Sequence, residues 1–588
     1  MRRKTITSRL LSLALVVLAC LGVVLLAPLL FNTRNVDEPF RSSFVMASAR
    51  DFFVVTTPVR LSHNPDLTLS RGHLYADGDV MGGTPINKVV LEGPVFTLNA
   101  SGLRAIAPSF EASAAGADPG LLSPIAEALS LLNFDTLSIR RGTLYLTTAA
   151  GTSETISNIE AELTGKRKGQ IASRGNFLLR GQRVAFDATF APQSDKRTPL
   201  RWPVKLSVKG GLLDAGFDGH ADVSADIRLA GQVEVSTSSL RRVARWFGVP
   251  VPIAEGLNKS ALKGQFNWTG RSMSFDDAKV TVDGNAATGA LALHYAKERP
   301  LVQANLAFTA LDLTPYAEAA RSQYFVFDRQ TASWSPFDLS FPLIKYVDAD
   351  LRISAPKVVV HGHGLGRGAA TVTVQSGKLV ANILELELHG GMASAQLTAD
   401  VFGLTPRFVM RGKIEGFETS QGAAALFGTP LLGGRANLTA EFTSTGQTPA
   451  EIVGGLDGKI ALSMAEAGRL TFDPRAMKGM AKANAAAGWG PLAKGQIGVE
   501  QLEMRAIVTD GVLTTEAVHV RSGSLGIAAS GRANLPDETL DLRLSVKPGV
   551  PTDRPLTAAD MAGADTVSVR GPWAAPLVRG EDASGAPN

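Results

Sequence analysis

The chain has 588 residues, 45% of them hydrophobic and only 19% charged, with 59 glycines, 31 prolines and a formal net charge of +5. So small a surplus over this length excludes the concentrated basic footprint of a nucleic-acid binder, and no nucleic-acid partner is expected. The single cysteine, Cys20, excludes an intrachain disulfide and leaves everything after it without a thiol nucleophile or a Cys-ligated metal. Low charge with many turn formers suits many short strands better than many helices.

Taken in order, residues 1–9 carry Arg2, Arg3, Lys4 and Arg9 and predict a basic cytoplasmic tip. Leu10–Phe31 then runs without a charge, and about 20 apolar residues span a bilayer. By the positive-inside rule this is a single-pass helix with the bulk of the chain on the far side. The competing reading is a cleavable signal, or a lipoprotein signal with Val17-Leu-Ala-Cys20 as its box. The bulky Leu18 and the apolar run beyond Cys20 favour an anchor. Residues 32–53 predict a linker with a short juxtamembrane helix over Asn35–Phe53, with Phe40, Phe44, Val45 and Ala47 leaning to one side. Such a helix lies along the membrane surface or caps the end of a sheet.

From Val54 onward alternation dominates, giving a β body over 54–432 and a second β region over 433–579, ahead of a polar tail at 580–588. Strands are predicted at Val204–Val208, Val223–Leu229, Val280–Val282, Val372–Val374 and Leu384–Leu388. The clearest pattern is Gly511–Lys547, where Val518 and Val520 alternate with Ala517, His519 and Arg521. Leu542, Leu544 and Val546 likewise alternate with Asp541, Arg543, Ser545 and Lys547. A period of two sends successive side chains to opposite faces, so each strand has one oily and one wet side. Turns are expected at Ser522-Gly523, Ser530-Gly531 and Pro536-Asp537. Four helices interrupt the pattern: Leu121–Leu132, Ser238–Phe247, Asp312–Arg321 and Asp473–Ala487.

A sheet with one apolar face must cover it. Four short helices are too few for this many strands. Either the sheet folds onto itself, or it curls into a gutter whose oily lining is filled by a guest such as an acyl chain. Periodicity alone does not separate the two. In the gutter reading Leu384, Leu386, Leu388, Val518, Val520, Leu542, Leu544 and Val546 line the groove.

Constellations for chemistry are weak. His361-Gly-His363 lacks further ligands at a usual spacing, so a glycine-rich turn with two solvated imidazoles outweighs a metal pair. Arg367 stands where a dinucleotide fingerprint needs its third glycine. Arg241-Arg-Val-Ala-Arg245 with Trp246 and Phe247 offers phospholipid headgroups a basic helix face, against the plainer reading of a solvated one. No catalytic residue, cofactor or metal is expected.

Several segments resemble the AsmA family of bacterial envelope proteins. Gly433–Arg570 is similar to the family's C-terminal region through Leu432-Gly-Gly-Arg-Ala-Asn-Leu438, Leu456-Asp-Gly-Lys-Ile-Ala-Leu462 and the Gly511–Val520 run. Gly523-Ser-Leu-Gly-Ile-Ala-Ala-Ser-Gly-Arg-Ala-Asn-Leu535 and Val567-Ser-Val-Arg-Gly-Pro-Trp-Ala-Ala-Pro-Leu577 complete that region. Asp350-Leu-Arg-Ile-Ser-Ala355 and Leu386-Glu-Leu-His-Gly-Gly391 are similar to its middle section, whereas Arg34–Asp79 departs from the pattern. The resemblance implies a mainly β protein: an N-terminal transmembrane helix, then a long curved antiparallel sheet forming an elongated groove, with a few short helices. It also implies a bacterial inner-membrane anchor, a periplasmic body, phospholipid acyl chains as ligands and a role in phospholipid transport and outer-membrane biogenesis. Outer-membrane assembly factors are candidate partners. The alternatives are a non-enzymatic scaffold that regulates protein targeting to and assembly in the membrane, and an envelope hydrolase with a site hidden from sequence.

Overall fold

The computed structural model describes residues 44–48, 52–55, 59–60, 67–77, 88–99, 136–147, 153–166 and most of 170–581, apart from short segments and 421–431. Leu10–Phe31, Leu121–Leu132 and 582–588 lie outside the described residues, and with them the expected anchor, the first expected helix and most of the tail. Among the described residues no helix is long and apolar enough to cross a membrane. The protein is mainly β, built on large, mostly antiparallel sheet with few helices. The chain divides into two compact units, Met1–Val251 with Leu257–Asn305, and Pro252–Gly256 with Leu306–Asn588.

The first unit opens with β1 (Phe44–Ser48), β2 (Phe52–Val55), β3 (Val59–Arg60) and β4 (Leu67–Asp77). Here the expected juxtamembrane helix is corrected over residues 44–48 and 52–53, which are strand; residues 35–43 of it lie outside the described residues. Phe44 pairs with Val55 and Phe53 with Leu74, so the aromatic and β-branched residues of this stretch form ladder rather than helix. Next come β5 (Lys88–Asn99), β6 (Thr136–Thr147), β7 (Ser153–Lys166), β8 (Gln170–Leu179), β9 (Gln182–Phe190) and β10 (Arg201–Gly210). The unit continues with β11 (Asp214–Val223), β12 (Ile227–Thr237), β13 (Ser260–Thr269), β14 (Ser272–Val282) and β15 (Asn285–His294). From β4 each strand pairs with the next, antiparallel except for β5 and β6, which run parallel. The expected strand Val223–Leu229 is instead the end of β11 and the start of β12, whose residues pair back across the connection.

Bulges shape this sheet. Gly93, Arg141 and Asn158 have positive φ on three successive strands. The pairing register slips beside each of the last two. A row of extra residues deepens local twist and curl. The curled part holds the core: Val89, Leu91, Phe96, Leu137, Ile139, Ile159, Phe177 and Trp202 are all buried. Helix α1 (Leu240–Trp246) closes the strand ends there. Ser239 caps it by accepting from the Arg242 amide (3.3 Å), and Trp246 Nε1 donates to the Leu179 carbonyl (3.2 Å). Arg180 ties the helix down, donating to the Trp246 carbonyl (2.7 Å) while bridging Glu154 through Nε (2.9 Å).

In the second unit the sheet runs through β16 (Asp348–Ala355), β17 (Gly368–Gln375), β18 (Lys378–Leu388), β19 (Gly391–Asp400), β20 (Arg407–Glu418), β21 (Arg435–Thr445) and β22 (Asp457–Met464). It continues with β23 (Gln501–Thr509), β24 (Val512–Ser522), β25 (Leu525–Asn534), β26 (Thr539–Pro548), β27 (Asp565–Pro572) and β28 (Leu577–Glu581). Each of these pairs antiparallel with the next. Because β20 pairs directly with β21, the sheet carries on through the boundary expected at residue 432.

Among the described residues this unit carries the helices α2 (Thr314–Gln323), α3 (Pro449–Gly454) and α4 (Pro474–Ala483), besides helical residues at 344–345 and 419–420. The first and last fall where the sequence predicts them, although Ala486 and Ala487 leave helix to pair with Arg579 and Val578. Ser530-Gly531 is not a turn. Gly531 sits inside β25 at φ +132, and its amide donates to Thr515 Oγ1 (2.9 Å). A Cβ there would lie 2.2 Å from the Asp541 carbonyl oxygen, so only glycine lets β26 approach this closely.

Candidate functional site

Register separates the two faces of each sheet without ambiguity. On the polar face of the first unit Lys205 faces Asp218, Arg201 faces Asp222 and Glu234 faces Lys263, each forming an ion pair. In the second unit Glu441 stands between Arg411 and Lys459 on neighbouring strands and bridges both. Exposed pairs of this kind are worth about 0–1 kcal/mol each. Their value lies in keeping one face wet.

The opposite face is apolar in both units, but it is not covered evenly. In the first unit it is sealed from β5 to β10 and half open from β11 to β15. The half-open part carries Phe217, Val233, Phe266, Phe275, Leu291 and Leu293, with no charged residue among its paired positions. Phe217 meets Phe266 edge-on at 6.3 Å between ring centroids, and Phe266 lies 5.1 Å from Phe275. These rings form a ridge beside a flat spot where Gly219 pairs with Gly231. A Cβ on Gly231 would fall 2.5 Å from the Gly219 Cα. The two backbones therefore meet where side chains would otherwise fill the floor.

In the second unit the open stretch runs across β18 to β22. Leu397 pairs directly with Met410, which pairs with Phe442; Ile383 lies opposite Ala395 on the same face. Ile383, Leu397 and Met410 are 39%, 40% and 41% exposed, flanked by half-buried Leu379, Phe408, Ile414, Leu438 and Ile460. Phe341, from the segment before β16, rests 6.0 Å from the Phe408 ring and bounds the patch.

Beyond β23 the chain supplies its own cover. Helix α4, with Met477 and Met480, packs with Val520, Ile527, Val546, Val567, Val569 and Val578 into one core. Leu542 and Leu544 pack against it. The structure thus places Val520 and Val546 in a buried core, with Leu542 and Leu544 at its margin. Val518, paired with Met504, is half-buried. Leu386 and Leu388 keep to the apolar face through their pairs with Ala393 and Gly391, next to the open patch. Leu384 does not alternate with them. The register slips by one residue between Ile383 and Leu386, and Leu384 is the extra residue of that bulge, 59% exposed. Sequence reasoning missed Leu397, Met410 and Phe442, whose β19 to β21 neighbourhood mixes alanine and glycine into the apolar positions.

At one edge of the patch Glu418 accepts from the Gly434 amide (2.9 Å) and the Ser420 amide (3.3 Å). The Gly434 bond above all holds its carboxyl below the ordinary range. His361 occupies a turn at φ 50 while His363 begins the strand after it, so the two imidazoles do not share a strand face. Among the described residues no group of three potential ligands could hold a metal ion. Arg242 and Arg245 are exposed on α1, whose buried side is Val243. Comparison with protein-family models, curated proteins and solved structures finds no match to this chain.

Proposed function

We propose that this protein holds lipid acyl chains against the half-open apolar faces of its sheets and so assists phospholipid traffic in the bacterial envelope, with Leu10–Phe31 anchoring it in the inner membrane. The observation that carries the reading is the open stretch across β18 to β22: apolar in its paired positions save Ser444, whose hydroxyl donates to the Ile452 carbonyl, about two-fifths exposed at its centre, and backed by a charged face. Monomeric proteins rarely leave such a contiguous surface bare unless it receives a partner. A flexible hydrocarbon tail suits it because the positions repeat strand by strand with no polar group to satisfy. The working principle is partition: each methylene taken out of water contributes about 0.8 kcal/mol. Near-equivalent positions let a chain slide without falling into a deep trap.

The direct test is native mass spectrometry and lipid extraction of the full chain, with a photo-crosslinking residue placed at Met410 and at Phe266. Adducts of phospholipid mass at both positions are the expected result. Clean protein without lipid, or adducts only to other proteins, would replace this reading with that of a membrane-protein targeting scaffold.

A further inference from the structure

The three most exposed large apolar side chains among the described residues are not accounted for by the acyl-chain face. Phe337 is 70%, Phe402 69% and Leu404 95% exposed. They come from two segments far apart in sequence, yet the second unit brings them to one end of its sheet. Phe402 and Leu404 occupy the loop between β19 and β20, and the Gly377 carbonyl at the β17–β18 turn accepts from the Val401 amide (3.0 Å). Phe402 packs beside Gly377. Gln447 Nε2 donates to the Leu404 carbonyl (2.9 Å), and the Gln447 carbonyl accepts from the Leu339 amide (2.8 Å). Ser335, two residues before Phe337, accepts from the Ala450 amide through its carbonyl (3.4 Å). These hydrogen bonds hold two protruding loops against the start of α3, and the oily tips are left in water on purpose-built supports.

We propose that this loop end docks on a lipid bilayer, inserting Phe337, Phe402 and Leu404 into the interfacial region. The proposal rests on the acyl-chain reading, because Phe341 joins the same segment to Phe408 at the margin of the open face. A tail leaving a bilayer here would meet apolar surface from the first contact. The geometry favours a membrane over a protein partner. Phe337 stands on one loop and Phe402 with Leu404 on another, with no pocket formed between them among the described residues, which suits a fluid hydrocarbon, whereas a protein hot spot needs a packed, pocketed patch ringed by drier contacts. Exposed charges near the tips are mixed, with Asp338, Lys345, Lys378, Asp400 and Arg407 all present. Insertion here therefore depends on apolar burial rather than on anionic lipid.

The test uses the full chain in nanodiscs with Cys20→Ser, carrying one environment-sensitive dye at residue 337, 402 or 404, or at Lys413 on the polar face as control. Vesicles of phosphatidylcholine with brominated acyl chains should quench the three tip dyes and spare the control, and adding anionic lipid should change this little. Burial of one such side chain is worth roughly a factor of ten in partition, so Phe402→Asp with Leu404→Asp should weaken vesicle binding by about a hundredfold or more. Both sites are exposed, so folding should survive, and lipid already loaded on the sheet should stay. Unquenched tip dyes in a protein that carries lipid would overturn the docking proposal alone. Quenched tips on a protein that never carries lipid would leave docking standing and remove the acyl-chain reading instead. Quenching that appears only with anionic vesicles would replace insertion by electrostatic adsorption and overturn it as well.

Discussion

Met410→Asp is the sharpest probe of the open face. Met410 stands between Leu397 and Phe442 on adjacent strands and is 41% exposed. Full burial of a methionine is worth about 1.5–3 kcal/mol, so losing the buried part of this one costs the fold only about 1–2 kcal/mol. A guest fares worse. A chain laid across the five strands β18 to β22, about 4.8 Å apart, covers roughly 19 Å of oily surface with this residue near its middle. A carboxylate there keeps its water and holds off about four methylenes, or about 3 kcal/mol, which is roughly a hundredfold in occupancy. The assay is lipid extracted per mole of folded protein, with melting and circular dichroism to confirm the fold. Arg411→Ala, one residue along and on the wet face, removes an exposed ion pair worth at most about 1 kcal/mol and should leave loading unchanged. A folded Met410→Asp protein that carries the usual amount of lipid would refute the reasoning.

Other outcomes follow from the covered parts of the sheets. Leu544→Asp places an unpaired charge against the α4 core, so it should lower stability by about 3 kcal/mol or more in urea titration, in contrast to Met410→Asp. Gly531→Ala meets both the positive φ and the 2.2 Å approach of the Asp541 oxygen, and should cost about 2 kcal/mol or more with a lowered melting temperature. Arg180→Met leaves Glu154 and the Trp246 carbonyl without their donor, and should loosen α1 at a cost of about 1–3 kcal/mol, read as faster amide exchange over residues 240–246. Glu418 is held below the ordinary carboxyl value by the Gly434 amide bond. Its stabilising contribution is therefore complete above that ordinary value and disappears as pH falls through the depressed one. Glu418→Gln should be less stable than the parent near neutrality, with the gap closing on acidification through that window.

Alternation made the strands readable, and for a physical reason: each inward residue needs an oily neighbour on both flanking strands, so the pattern repeats wherever a ladder exists. Helix α1 was equally legible, because Ser239 caps it and Gly248 follows its end. Irregularity escaped. Leu384 reads as one more inward leucine, yet an extra residue at Ile383–Leu386 takes it out of phase. Gly531 looks like a turn because serine and glycine usually mark one, whereas here glycine permits a close backbone approach within a strand. Helix α3 is only six residues long, from Pro449 to Gly454, and leaves too short a periodic signal to notice.

Whether a stretch of oily face is sealed or open is the question on which the function turns, and alternation carries no answer to it. Leu544 and Met410 occupy equivalent places in their strands, inward and flanked by apolar partners. The difference is made by something outside the strands. Between β22 and β23 the chain inserts Gly468–Leu470, α4 and Ile497–Val499, and these lie over Leu544 and its neighbours. The connections among β18, β19 and β20 are a tight turn at His389-Gly390 and a short loop at residues 401–406, neither long enough to fold back over Met410, while the connection 419–434 leading to β21 lies largely outside the described residues. Cover is thus written in the lengths of the connections rather than in the strands. The long insertion between β22 and β23 marks where the sheet buries itself, and the short connections from β18 to β20 mark where its face stays open.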